Sequence, residues 1–323
     1  MLLQSRGSGR VLIDMRLMFF DDFKLGVVTG ESVVDVSAAV ADIPRVHPQD
    51  VIHGVIEQWS GYRPALEQAA AAGPGVPLSS VRVRPPLPRP ATIDCMAVNY
   101  MENGTLSAPP PINAFQKAPS TVIGDNDVMV LPDVPASIFE GEAELAAVIG
   151  RRCANVPASE AMDYIFGYTN FIDGSARGLA PAANSFFQMK SRDTFCPIGP
   201  FIVTADEVPD PQNLAVRLWN NGELMQDFHT SDMAHNIPRC IEFASSVHTL
   251  EPGDILATGT NHRGLNPFMD GDHVELEVEQ LGRLHIRVRD DLKRTWKRET
   301  RFDRQKAGLQ GATPQTGGKY AAS

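Results

Sequence analysis

The sequence predicts an α+β, β-rich fold. Three observations carry that reading. Short apolar runs bounded by Gly, Pro, Asn or Asp outnumber helical stretches, a late hairpin alternates residue by residue, and 25 prolines with 26 glycines in 323 residues imply much turn and loop. A chain of this length holds one large or two ordinary domains with a sizeable core.

In chain order, residues 1–14 read as an extension: Asp14 and Arg16 interrupt the apolar run after Arg10, so no secretory signal is expected, and Met15 is a candidate start. Residues 16–20, 25–28 and 32–36 read as strands separated by Asp- and Gly-containing turns. Residues 48–73 read as helix, with Pro48 in the first turn and Val51, Val55, Ile56 and Trp59 recurring on one face, until Gly61, Pro64 and Gly73-Pro74-Gly75 break the pattern. The Pro-rich run 83–90 is an extended linker, so residues 15–88 form a small N-terminal domain. A larger domain, 89–293, opens on an apolar strand ending in Asn99 and Tyr100, and the Gly- and Pro-rich run 101–112 is a candidate mobile lid. A short helix at 159–164, strands at 198–203 and 214–226 with Asn221-Gly222 as a hairpin turn, and a helix at 238–247 started by Pro238 follow. Residues 255–260 are a buried strand, and 274–288 a hairpin turned at Gly282. The tail 294–323 is basic, then Gly-, Ala- and Thr-rich, and is expected to be disordered from about residue 304.

Charge and cysteine usage narrow the function. Twenty-nine Lys and Arg against 39 Asp and Glu give a net charge of -10, which argues against a nucleic-acid or anionic-membrane surface. No apolar run approaches a membrane span. Cys95, Cys153, Cys196 and Cys240 lack metal-ligand spacing and read as free thiols of a reducing, cytoplasmic compartment.

The stretch that organises the rest is F-E-G-E-A-E-L-A-A-V-I-G, residues 139–150. Alternate residues of a strand share a face, so Glu142 and Glu144 point the same way. Side by side at the head of an apolar strand they repel if both are ionised. A hard divalent cation, Mg2+, Mn2+ or Ca2+, relieves that, because such ions prefer oxygen ligands. A third carboxylate, Asp173, lies in a second strand-like run, Y-T-N-F-I-D-G-S-A-R-G. The competing reading of E-x-E is a solvated edge, since carboxylates ordinarily sit outside.

With E-A-E-L-A-A-V-I-G, G-Y-T-N-F-I-D-G-S-A-R, M-K-S-R-D-T-F-C-P-I-G-P-F-I-V-T and L-E-P-G-D-I-L-A-T-G-T in this order, residues 15–293 resemble the fumarylacetoacetate hydrolase family. The resemblance implies a mixed β-sandwich or β-roll catalytic domain, a homodimer, and one divalent metal per subunit held by Glu142, Glu144 and Asp173. It also implies chemistry on small 2-oxo or 1,3-dioxo acids: cleavage, decarboxylation, hydration or isomerisation. Lys190 matches the lysine that contacts substrate oxygens, and Thr260 a position that binds the substrate carboxylate. Arg177 pairs with an acidic substrate or braces Asp173, and Tyr100 and Gln226 are weaker pocket candidates.

The lid departs from the family pattern. Where relatives place a histidine and, three residues on, a glutamate, this chain has Asn103 and Leu106. An asparagine amide takes no proton at neutral pH, so the usual base is absent. Glu102 stands next door but would point away if the loop is strand-like. Asn261, His262 and Arg263 follow Thr260 at the expected pocket mouth; His262 titrates near neutrality and suits proton transfer, and Arg263 could pair with a second acidic group on the substrate. His229 is a weaker candidate. The expected activity is metal-dependent carbon–carbon hydrolysis of an acylpyruvate-like acid. Its rivals are isomerisation, dehydration, tautomerisation or decarboxylation of a related acid, and metal-dependent oxo-acid binding without turnover.

Overall fold

The computed structural model describes residues 14–181 and 186–321, so the extension expected over 1–14 lies, but for Asp14, outside the described residues. Among the described residues the strands form sheets of twelve, five and two strands, with few helices between them. The centre of the large sheet is an antiparallel ladder of two long strands, buried but for Arg177 at the end of the second, Ile138–Ile149 and Ile165–Arg177, hereafter the glutamate strand and the aspartate strand. Their near-continuous burial reflects cover on both faces.

Side-chain alternation assigns the two faces. Ala146, Val148 and Phe171 pack with Val51, Ile52, Val55 and Ile56 of the helix Pro48–Glu57. Ala143, Leu145, Ala147 and Ile172 pack with Val216, Leu218, Leu276 and Ile286 of the five-stranded sheet and with Ile237, Cys240 and Ile241 of the helix Ile237–Val247. The helix Pro48–Glu57 therefore covers one face of the large sheet, and the five-stranded sheet with the helix Ile237–Val247 covers the other. The expected hairpins are present: Asn221 and Gly222 both adopt positive φ between Ala215–Asn220 and Glu223–His229, and Gly282 turns His273–Val278 into Arg283–Arg289. All four cysteines are free and buried, and among the described residues no helix is long and apolar enough to cross a membrane.

Three expectations change. The strands of the small N-terminal domain expected over 15–88 join the large sheet: Arg16–Phe20 pairs antiparallel with Cys196–Thr204, so the Pro-rich linker joins two parts of one sheet. The expected helix at 159–164 is only a 3-10 turn, Ala161–Tyr164. The basic tail is ordered through residue 321, with a helix at Arg301–Lys306 and a two-stranded ladder of Thr295–Trp296 with Gln315–Gly317. Composition favoured disorder because it cannot show that Arg294, Arg298, Arg301 and Arg304 each find a carboxylate, Asp290, Asp272, Glu140 and Glu299.

Candidate metal centre and active site

The register of the central ladder sets Glu142 directly opposite Asp173, with Glu144 two residues further on the same face. One carboxylate oxygen from each of the three lies within 4.8 Å of the others, and all three side chains are buried. Like charges opposed across a ladder repel, and buried cations answer them. Lys190, at the end of the short helix Phe186–Lys190, donates to Glu142 Oε2 at 2.8 Å and Asp173 Oδ2 at 2.5 Å. Lys117 donates to the other oxygen, Asp173 Oδ1, at 2.5 Å and to the Gly174 carbonyl at 3.2 Å. Arg177 spans Glu140, at 2.5 Å from its Nε, and Glu142, which its Nη2 meets in a short contact.

These partners polarise the triad. Burial opposes charge on Glu142, but Lys190 and Arg177 hold its carboxyl well below the usual range. Burial, with Asp173 and Glu142 alongside, pushes Glu144 well above it. Burial also raises Asp173, against the pull of Lys117 and Lys190. Lys190 stays charged because Asp173 and Glu142 outweigh the cost of its burial. Glu144 is thus the group short of positive charge, its carboxylate accepting one backbone amide, Gly259 N–H, at 2.7 Å. Three convergent carboxylates with one uncompensated member fit a hard divalent cation.

The T-G-T segment borders this cluster. Beyond Ile255–Ala257 the chain continues beside the glutamate strand, with the Thr258 amide and hydroxyl both donating to Leu145 O, at 3.0 and 2.8 Å. Gly259 has φ +89°, and a Cβ there would stand 2.9 Å from Asn99 Cβ, so only glycine turns this amide to Glu144 without strain. The Thr260 hydroxyl donates to Ala143 O at 2.7 Å and accepts from Gln226 Nε2 at 2.9 Å.

The lid is a turn, not a strand: Glu102, Asn103 and Gly104 all have positive φ. That corrects the expectation that Glu102 points away. Its carboxylate lies 2.6 Å from His262 Nδ1 and accepts the His262 amide at 3.0 and 3.2 Å. Asn103 accepts from Asn261 Nδ2 at 3.2 Å, and Asp232 ties both down, accepting the Asn103 amide at 2.8 Å and Asn261 Nδ2 at 3.3 Å.

The predicted residues divide accordingly. Glu142, Glu144, Asp173 and Lys190 converge. His262 and Arg263 sit half-buried on the turn after Asn261. Arg177 braces Glu140 and Glu142 rather than Asp173. Gln226 is a brace: its Oε1 accepts the Ala143 amide at 3.0 Å, and its Nε2 donates to Thr260 and to Asn261 O at 2.8 Å. Tyr100 is buried beside Thr258, and burial, then the nearby Glu144 charge, raises its pKa well above the phenol range. His229 caps a local turn through Ser231. Sequence reasoning missed Lys117 and the role of Glu102. A lysine after the apolar strand Ala114–Gln116 was the only signal for the first.

Fold and site together define a class: β-rich proteins with a buried acidic cluster suited to a divalent ion. The sequence pattern of the fumarylacetoacetate (FAA) hydrolase C-terminal domain matches residues 92–289, and the chain belongs to that family. It is 32% identical over 291 residues to maleylpyruvate hydrolase of Aquipseudomonas alcaligenes, covering 85% of this chain and 99% of the relative. It is 36% identical over 223 residues to oxaloacetate tautomerase YisK of Bacillus subtilis (strain 168), covering 65% and 74%. The solved structure of maleylpyruvate hydrolase from Sphingobium sp. SYK-6, in complex with manganese(II) and pyruvate, matches with a TM-score of 0.78 at 37% identity, over 85% of this chain and 99% of that one. The family thus includes enzymes of differing reaction, and a metal-bound one is similar to this chain along most of its length.

Proposed function

We propose that the chain is a divalent-metal-dependent hydrolase that cleaves a carbon–carbon bond in a small 2-oxo or 1,3-dioxo acid of the acylpyruvate kind, acting in the cytoplasm as a homodimer. The observation that carries the reading is the buried triad with a histidine–carboxylate pair, His262 and Glu102, on the adjoining T-G-T-N segment. Glu142, Glu144 and Asp173 would hold Mg2+ or Mn2+, with Ca2+ a further candidate. When bound, such a cation supplies Lewis-acid stabilisation of developing enolate charge and lowers the pKa of water. Lys190 adds a fixed positive charge at the same oxygens. Glu102 accepts Nδ1–H of His262, which leaves Nε2 free to take a proton from water and return it to the leaving carbon. Because the Thr260 hydroxyl hydrogen is committed to Ala143, recognition of the substrate carboxylate falls to backbone amides of its segment. Arg263 serves a second acidic group on the substrate. Tyr100, buried near Glu144, is the remaining candidate contact.

A second reading is isomerisation, tautomerisation or decarboxylation of a 2-oxo or 2-hydroxydienoic acid. Asn103 and Leu106 at the lid favour it, because such reactions need a proton shuttle and no attacking water, and the similarity to an oxaloacetate tautomerase points the same way.

Assay of acylpyruvates and 2-hydroxydienoates, with and without Mg2+ or Mn2+, tests both. Metal-dependent acylpyruvate cleavage is expected, with His262→Gln lowering kcat by about 10²–10⁴-fold as for loss of a general base. Cleavage indifferent to His262→Gln removes that residue from the chemistry. Dienoate turnover without cleavage favours the second reading, and tight oxalate binding with no turnover makes the protein a binder.

A further inference from the structure

The family match ends at residue 289, and the ordered tail beyond it returns to the pocket mouth. Arg294 pairs with Asp290 at 2.9 Å and donates to the Pro132 and Val134 carbonyls, while Trp296 Nε1 donates to Ser137 O at 2.8 Å. Arg298 meets both oxygens of Asp272, at 2.6 and 2.8 Å. Held in this way, the helix Arg301–Lys306 makes two contacts with groups of the candidate active site. Arg301 Nη2 lies 2.5 Å from Glu140 Oε2, the oxygen that also accepts Arg177 Nε, and Arg177 continues to Glu142. The Arg263 guanidinium carbon lies 3.9 Å from the centroid of the Phe302 ring, and Lys306 Nζ stands 4.1 Å from the same centroid. The Arg301 amide, donating to Leu265 O at 3.0 Å, seats the helix against the turn that carries His262 and Arg263.

Arg263 differs from the strap's own arginines. It is half-buried, and among the described residues it has no carboxylate partner. With Asn103, Gln226, Asp227, Asn261, Thr300 and Phe302 it lines a cavity of about 270 Å³. A guanidinium held over a ring by a cation–ring contact spends no N–H on a carboxylate there, and its N–H fork matches one.

We propose that the C-terminal strap is a specificity-determining wall of the active site, in which Phe302 positions Arg263 for the distal carboxylate of a dicarboxylic oxo-acid. The inference deepens the proposed function and rests on it. Arg263 is the contact group, and Phe302 acts through it.

Calorimetry on the full chain with Mn2+ tests this with chain-length-matched, unreactive acids: 2-oxoglutarate against 2-oxopentanoate, and 2-oxoadipate against 2-oxohexanoate. The wild type binds the better-fitting diacid more tightly than its monoacid match. Phe302→Ala and the more conservative Phe302→Leu lower that ratio by about three- to tenfold, as for loss of one cation–ring contact, and leave monoacid affinity unchanged. Phe302→Tyr restores the ratio, and Lys319→Ala, at the far end of the strap, leaves it intact. A wild type without diacid preference, or variants that weaken both acids equally or neither, overturns the proposal while leaving the metal-centred function standing. Failure of every oxo-acid to bind removes both.

Discussion

Asp173 carries a lysine on each oxygen, and only one of the two, Lys190, stands in a recognisable motif. Lys117 is fully enclosed, so its removal leaves a buried carboxylate half-compensated. Loss of one partner from a buried pair costs about 3–5 kcal/mol, and because Lys190 remains, Lys117→Met is expected near the lower end, read from urea unfolding of the metal-free protein. Lys117→Arg, which keeps the charge but not the shape, should retain part of that stability. A cost below about 1 kcal/mol would show that Lys190 alone compensates Asp173. Glu102 shows the same dependence on surroundings: the role proposed for it rests on the 2.6 Å contact with His262, made possible by a positive-φ turn.

At the scale of elements, the glutamate strand and the T-G-T segment form one device. The strand supplies two carboxylates on one face, and the segment beside it turns a backbone amide toward the one that lacks a cation. Gly259→Ala tests the coupling. Its Cβ would be forced against Asn99 in a left-handed conformation, a cost of about 1–3 kcal/mol. Displacing the amide should also weaken Mn2+ binding, measured by calorimetry. A destabilised variant with unchanged metal affinity would separate the segment from the metal centre.

Across the whole molecule, two further histidine–carboxylate pairs besides His262–Glu102 join distant parts of the fold. His285 in the last hairpin meets Asp125 at 3.0 Å, and His248 after the helix Ile237–Val247 meets Asp94 at 2.7 Å. The hydrogen bond to Asp125, against burial, raises His285 above its ordinary 6.5. Burial works against His248, but Asp94 raises it too. A histidine whose pKa is higher folded than unfolded adds stability fully below the unfolded pKa, and that contribution fades as pH rises through the folded value. Unfolding midpoints should therefore fall from about pH 6.5 upward for the wild type. The fall should be shallower in a His248→Gln, His285→Gln double variant, and an identical slope in both proteins would remove these pairs from the pH response.

The sequence by itself determined what depends on local pattern. Alternation and turn chemistry set the Asn221-Gly222 and Gly282 hairpins, a proline near its start marked the helix Ile237–Val247, and the spacing of Glu142 and Glu144 placed two carboxylates on one face. Tertiary structure alone decided what depends on distant partners. It placed Asp173 opposite Glu142, brought Lys117 to its second oxygen, attached the N-terminal strands to the central sheet, and ordered a tail whose composition argued for disorder. The physical reason is that periodicity records which way a side chain points relative to its own backbone. The cost of a buried charge, or the gain from an arginine, is settled by groups that the chain brings near only after folding.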